Sequence, residues 1–263
     1  MSESPRRVSF DRAVDYYDRT RALPAEATEA VVRLLTDELR GRGTCLEIGV
    51  GTGRIALPLA DAGQRMAGID LSSAMLARLV AKAGGTAPFP IAVADATALP
   101  FEAAVFGGAL CVHVLQLIPD WTDAVDELMR VVAPGGVVLV DTGGVGSDEF
   151  RAVTDRFGRA LGRSETERPG LTRERKGELD VHLAGRGCVR RDLPPVIAER
   201  DETIGNRIER LEQGLYSWTW DFEPQELRRA GVATRAWAAG EFGALDAPHT
   251  IRTAVSYVAY DVP

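Results

Sequence analysis

At 263 residues, 45% hydrophobic and 26% charged, the chain is long enough for one large domain or two small ones with a substantial core. That composition excludes a disordered or collagen-like chain, and no run reaches the ~18 apolar residues of a membrane helix; the nearest, 103–118, is broken by Gly107, Gly108, His113 and Gln116. A net charge of −7 argues against a nucleic-acid binder with a broad basic surface, local basic patches staying open; neither nucleic acid nor membrane is expected as a partner.

The opening MSESPRRVSF lacks the apolar core of a secretory signal. Cys45, Cys111 and Cys188 cannot all pair, and no two have C-x-x-C spacing. Buried thiols in a reducing, cytoplasmic setting are expected. Lys82 and Lys176 are the only lysines, which disfavours Schiff-base chemistry.

Residues 25–40 place Ala27, Val31, Leu34 and Leu35 on one helical face. After Gly41-Arg42-Gly43, the apolar run 44–48 ends at Gly49 and predicts a buried strand. A helix over 52–62 follows, with Pro58 expected to bend it. The alternation repeats with a strand at 65–69, a helix at 72–83 capped by Ser72 or Ser73, and strands at 90–94 and 105–112. In the helix 121–132, Trp121, Ala124, Val125, Leu128, Met129 and Val132 keep the 3.6 period. Pro134-Gly135-Gly136 is expected to end it before a strand at 137–140.

Such alternation means right-handed βαβ units, a mainly parallel sheet and helices on both faces. Ligands of these sheets bind beyond the carboxyl ends of the strands. After residue 143 the alternation stops. Phe150, Val153, Phe157 and Leu161 suit one helix, and 172–185 another. The stretch 189–200 is extended but carries Pro194-Pro195, which marks an edge strand. Residues 204–218 look helical, Pro224 opens a further helix, and 251–260 has the β-branched and aromatic content of a last strand. Tyr216, Trp218, Trp220 and Phe222 alternate at period two, while Leu211, Leu215, Trp218 and Phe222 fit a helix; both remain open. Arg207, Arg210 and the run RERK at 173–176 are expected on solvated faces.

The segment LEIGVGTGR, 46–54, takes a strand through Gly49, Gly51 and Gly53 into a helix. Glycines let a ligand approach the main chain, and the helix start offers unpaired N–H groups. Asp70 ends the second strand 21 residues after Gly49, where a carboxylate can accept both hydroxyls of an adenosine ribose. Asp95 ends the third strand, where an adenine amino group could be met. Capping and turn formation are the plain alternatives for these two carboxylates. Arg54 stands where a dinucleotide fingerprint needs its third glycine, and no G-x-x-x-x-G-K-S/T loop occurs.

The E-x-G-x-G-x-G pattern from Glu47, the acidic residue in GIDLSSAML, the VADATALPF segment and ELMRVVAPGGVVLV together resemble class I S-adenosylmethionine-dependent methyltransferases. The resemblance covers residues 10–143 and lies nearest the small-molecule, type 11-like group related to ubiquinone and menaquinone biosynthesis. It implies an α/β, Rossmann-like fold with seven mostly parallel strands in the order 3-2-1-4-5-7-6, the last antiparallel, helices on both faces and a helical lid. It also implies one domain with an N-terminal helical arm (1–40), a cofactor core (41–143), and lid insertions with C-terminal strands (144–263).

By the same resemblance, Glu47, Gly49, Gly51 and Gly53 hold the methionine end of S-adenosyl-L-methionine, and Asp70 the ribose. Leu71 and Met75 pack near the adenine, Asp95 and Ala96 recognise its edge, and Val112 and His113 line the methyl donor. FDRAVDYYDRTR matches the family's opening pattern, with Tyr17 and Arg21 placed to close over the cofactor's carboxylate.

The implied reaction is in-line methyl transfer to the O, N or C nucleophile of a small molecule. Alignment alone can supply roughly 7–11 kcal/mol, and a base a further ~10²–10⁴-fold. His113 is the candidate base, against a role in packing only. Tyr216, Trp218 and Trp220 are candidate acceptor contacts, against plain packing. His182 and His249 form no ligand-spaced set with His113, so no metal is expected. A monomer or homodimer is expected. An NAD(P)-dependent oxidoreductase and a non-catalytic S-adenosylmethionine-binding protein are the rival functions.

Overall fold

The apolar runs of the first half become the inner strands of one sheet. In this computed structural model the described residues are 9–143, 147–163, 170–172 and 175–263. β1 (Cys45–Ile48) lies between β2 (Met66–Asp70) and β4 (Phe106–Cys111), parallel to both. β3 (Ile91–Val93) flanks β2, and β5 (Val132–Asp141) flanks β4. Then come β9 (Tyr257–Asp261), antiparallel to β5, and β6 (Val189–Asp192) at the edge. The order 3-2-1-4-5-9-6 is the expected one, with β9 as seventh strand of this sheet.

Alternate residues of the central strands feed two cores. Leu46, Ile48, Ala109, Cys111, Val138 and Val140 face α5 (Trp121–Val131) and α7 (Lys176–Ala184). Cys45, Leu110, Val137 and Leu139 face α2 (Ala25–Leu39) and α3 (Ala56–Asp61), with α4 (Ser73–Lys82) in the same layer. A parallel sheet covered on both sides must be apolar on both, hence the near-continuous hydrophobic strands. Ahead of α2, the short α1 (Tyr17–Arg21) belongs to the N-terminal arm. Asp11 accepts a hydrogen bond from Ser72, and Asp18 from Thr52 at 2.6 Å and an ion pair from Lys82 at 3.0 Å. The arm is therefore fastened to the loops after β1 and β2.

The chain divides into two compact units, described separately. The first contains the described residues of Met1–Gly143, Pro169–Val196 and Val255–Pro263; the second those of Gly144–Arg168 and Ile197–Ala254. The second unit has α6 (Asp148–Ala160), α8 (Ile204–Glu212) and α9 (Pro224–Phe242), plus all but the terminal Val196 and Val255 of the two-stranded sheet β7 (Val196–Thr203) and β8 (Pro248–Val255). Its own core includes Phe150, Phe157, Ile208, Leu211 and Leu227. Pro224 opens α9 as expected, inside a reciprocal Glu223/Glu226 capping box.

Several expectations are corrected. α3 starts at Ala56, so Pro58 sits in its first turn, where a missing N–H costs nothing. β5 starts directly after α5 and carries Pro134-Gly135-Gly136 through an irregular register between Phe106 and Gly108 of β4. Pro194-Pro195 lies between β6 and β7, dividing one expected strand into two of different sheets. The last strand is likewise broken at Ser256 into β8 and β9. The expected helix 204–218 stops at Glu212, and Ser217–Thr219 forms a 3₁₀ turn, so the 216–222 aromatics follow neither period.

Arg207 and Arg210 are not simply solvated: both pair with Glu202, which is buried, and Arg207 lies over the rings of Phe150 and Tyr216. Residues 173 and 174 of the RERK run lie outside the described residues, while Arg175 pairs with Glu178. Among the described residues no helix is long and apolar enough to cross a membrane.

Candidate cofactor site

Register brings the strand ends into one row. Ile48 is level with Ile69 and Cys111, and Cys111 with Val140. The next rung therefore holds Gly49, Asp70, Val112 and Asp141, at the carboxyl ends of β1, β2, β4 and β5. One cavity opens there. Its wall includes Tyr17 from the arm, Gly49 and Gly51 from the first loop, and Asp70, Leu71 and Met75 from the second. Asp95 and Ala96 contribute from the third strand end, Val112 and His113 from the fourth. Ten of the residues marked from sequence thus meet in one place.

The glycine loop is held by its backbone. Gly49, Gly51 and Gly53 all have positive φ, 64°, 55° and 74°. At Gly49 a Cβ would also come within 2.7 Å of Val114 Cγ2, so both conformation and space require glycine. Asp70 clamps the loop: its Oδ2 accepts the Gly51 N–H at 2.8 Å and its Oδ1 the Ser72 N–H at 2.8 Å. Burial raises the Asp70 pKa above the ordinary carboxylate value, against those two N–H groups. Asp95 Oδ1 accepts both the N–H and the hydroxyl of Thr97, at 2.9 and 2.8 Å.

Three expected cofactor residues are not part of the cavity wall: Arg21, Glu47 and Gly53. Gly53 is backed by Leu57 and Leu79. Arg21 acts electrostatically on Tyr17, whose pKa is raised by burial against the Arg54 and Arg21 charges. Glu47 is buried at 3% exposure, and its Oε2 has no hydrogen-bond partner among the described residues. Burial, against the nearby Arg54 charge, pushes its pKa up to about 8, with Asp70 adding to the rise. An orphaned carboxylate oxygen behind a glycine loop suits a cationic ligand group such as an amino or sulfonium centre.

His113 is one of only two non-glycine positions with positive φ, at 55°, among the described residues. Its N–H donates to Asp141 Oδ1 at 2.6 Å, and its Nδ1 lies 2.8 Å from Asp141 Oδ2. The Asp141 side chain is 8% exposed; burial opposes ionisation, but the His113 ring and N–H outweigh it and hold the carboxyl below its usual value. Sequence reasoning missed Asp141, although VVLVD ends a strand just as Asp70 does. It also left Phe10, Ile69, Ala94, Val114, Leu117 and Ile118 without a role, and these complete the wall. The apolar run VLQLI was the available signal for the last three.

Tyr216, Trp218 and Trp220 belong to the second unit. There Tyr216 and Trp218 pack against its core, and the Trp220 indole N–H donates to Gly214 O at 2.9 Å.

Residues 46–140 match the family model of the methyltransferase domain. The chain is 34% identical over 135 residues to a malonyl-[acyl-carrier protein] O-methyltransferase of Salmonella typhimurium, covering 51% of this chain and 52% of that protein. It is 30% identical over 146 residues to a demethylmenaquinone methyltransferase of Clavibacter sepedonicus, covering 53% and 59%. The chain thus spans between half and two thirds of the length of these curated relatives. A solved type II methyltransferase candidate from Anaeromyxobacter dehalogenans superposes with a TM-score of 0.62 at 21% identity, over 91% of this chain and 97% of that one, which shows the shared fold. The family model spans β1 to β5 of the sheet, so the segment 46–140 is similar to a methyltransferase domain.

Proposed function

We propose that this protein transfers a methyl group from S-adenosyl-L-methionine to a small-molecule acceptor by in-line displacement. The observation that carries the proposal is the single cavity at successive strand ends, backed by the partnerless Glu47 oxygen. When bound, the cofactor supplies an activated methyl sulfonium. The protein's own tasks are to grip, orient and exclude water. In this proposal Glu47, Gly49, Gly51 and Gly53, with Tyr17 and Arg21 closing from the arm, hold the methionine portion. Asp70 takes the ribose hydroxyls while its other lone pairs keep the loop in place. Leu71 and Met75 pack on the adenine, Asp95 and Ala96 meet its edge, and Val112 and His113 face the methyl. His113 is the proposed base. Tyr216, Trp218 and Trp220 are proposed acceptor contacts, the protein a cytoplasmic monomer or homodimer without nucleic-acid partners.

Titration calorimetry tests this. Wild type binds S-adenosylmethionine and S-adenosylhomocysteine, and Asp70→Ala weakens both at least tenfold by losing the ribose acceptor and the Gly51 clamp. Tighter binding of NAD than of either compound would select an oxidoreductase instead.

A further inference from the structure

We infer that Asp141 is a positioning residue that fixes His113 as its Nδ1–H tautomer and leaves Nε2 as the proton acceptor toward the cavity. This deepens the proposed methyl transfer and rests on it. The geometry is two-pronged. One carboxylate oxygen accepts the His113 main-chain N–H and the other faces the ring Nδ1, at 2.6 and 2.8 Å. A carboxylate can only accept, so the proton between it and the ring belongs to Nδ1. The same carboxylate also accepts the Gly143 N–H at 3.2 Å, which ties it to the chain after β5.

The main-chain prong matters because His113 sits at a positive φ that a histidine seldom adopts. Gln116 Nε2 donates to the His113 carbonyl at 2.8 Å and fixes the following turn. With the backbone and one ring nitrogen both held, the ring has one orientation, and His113 lines the cavity. A buried carboxylate that orients an imidazole in this way is the arrangement needed for a general base.

The consequence is an acceptor whose reacting oxygen or nitrogen carries a proton. As that atom forms its bond to the methyl carbon, the sulfur–carbon bond breaks and its electron pair returns to sulfur. The acceptor's proton passes to Nε2, giving an imidazolium whose charge Asp141 faces.

The test uses the full chain with ¹⁵N-labelled histidine, and His113→Gln assigns the resonance among the three histidines. At a pH where the ring is neutral, wild-type His113 shows the Nδ1–H tautomer. Asp141→Asn shifts it to Nε2–H, because the amide oxygen stays with the His113 N–H and the amide NH₂ then faces Nδ1. Ethoxyformylation by diethyl pyrocarbonate, mapped by mass spectrometry, modifies His113 in wild type and at least tenfold more slowly in Asp141→Asn. A purely structural hydrogen bond would leave that rate unchanged.

An Nε2–H tautomer in wild type, or equal modification rates in a folded Asp141→Asn, overturns the inference. If the variant does not fold, the wild-type tautomer decides alone. Failure of wild type to bind S-adenosylhomocysteine is a separate result that overturns methyl transfer itself.

Discussion

Glu47 and Gly49, proposed above to hold the cofactor, each carry a cost to the folded chain. A carboxyl that is ordinarily half-ionised near pH 4.5 is pushed up to about 8 in the folded chain, chiefly by burial. Between those values the folded state keeps a proton that the unfolded state has lost, so stability falls as pH rises from about 4.5 to 8. Glu47→Gln removes this dependence. Its melting temperature, relative to wild type, should climb from pH 5 to pH 8 and level off above. A cationic amino group favours the ionised form, so S-adenosylhomocysteine binding should release a proton below pH 8 and tighten with pH up to that point. Calorimetry in buffers of different ionisation enthalpy reads the release directly; no buffer dependence at pH 7 would refute the role given to Glu47. Gly49→Ala adds a backbone cost of about 1–2 kcal/mol for positive φ to the overlap with Val114. In a denaturation cycle, Val114→Ala should cost less in the Gly49→Ala background than in wild type, because it relieves that overlap. Strict additivity would mean that the loop shifts instead.

At the scale of elements, the sequence is most legible where one local rule decides the outcome. Apolar runs that give way to glycine, aspartate or histidine are strand ends, and the parallel register then aligns them, so the sequence alone brings Gly49, Asp70, Asp95 and His113 together. Asp141 escaped because its importance lies in a contact with His113, 28 positions away, which periodicity does not encode. Pro58 misled because the helix start was set too early: the positive-φ glycines keep residues 49–53 out of the helix. The breaks at 193–195 and at Ser256 depend on which sheet each half joins, a tertiary choice that β-propensity does not contain. The N-terminal arm yields a prediction of this scale. Asp18 holds it through Thr52 and Lys82, with side chains of Asp18 and Lys82 about one-third exposed. Such a pair contributes under about 1 kcal/mol to stability, yet it fixes the element that carries Tyr17. Asp18→Ala should therefore leave the melting temperature within a few degrees of wild type while hydrogen exchange in residues 10–21 accelerates and S-adenosylhomocysteine affinity drops several-fold. Unchanged affinity with a freely exchanging arm would detach Tyr17 from cofactor binding.

For the whole molecule, the decisive feature is that the chain passes from the first unit to the second and back twice, yet each unit closes its own core. The cofactor-side cavity is built from residues of the first unit alone. A ligand stabilises whatever it binds when folded, by about 2.7 kcal/mol at a hundredfold excess over its dissociation constant. The proposal accordingly predicts selective protection. With S-adenosylhomocysteine present, hydrogen exchange should slow in β1, β2, β4 and the loops that follow them. In calorimetric unfolding, the transition of the first unit should move upward by several degrees. Two cores of this kind need not melt together, so the unliganded protein should depart from two-state behaviour, with calorimetric and van't Hoff enthalpies unequal. A single two-state transition that shifts as a whole would show that the two cores unfold as one cooperative body, and the selective part of the prediction would fail even with the cofactor bound.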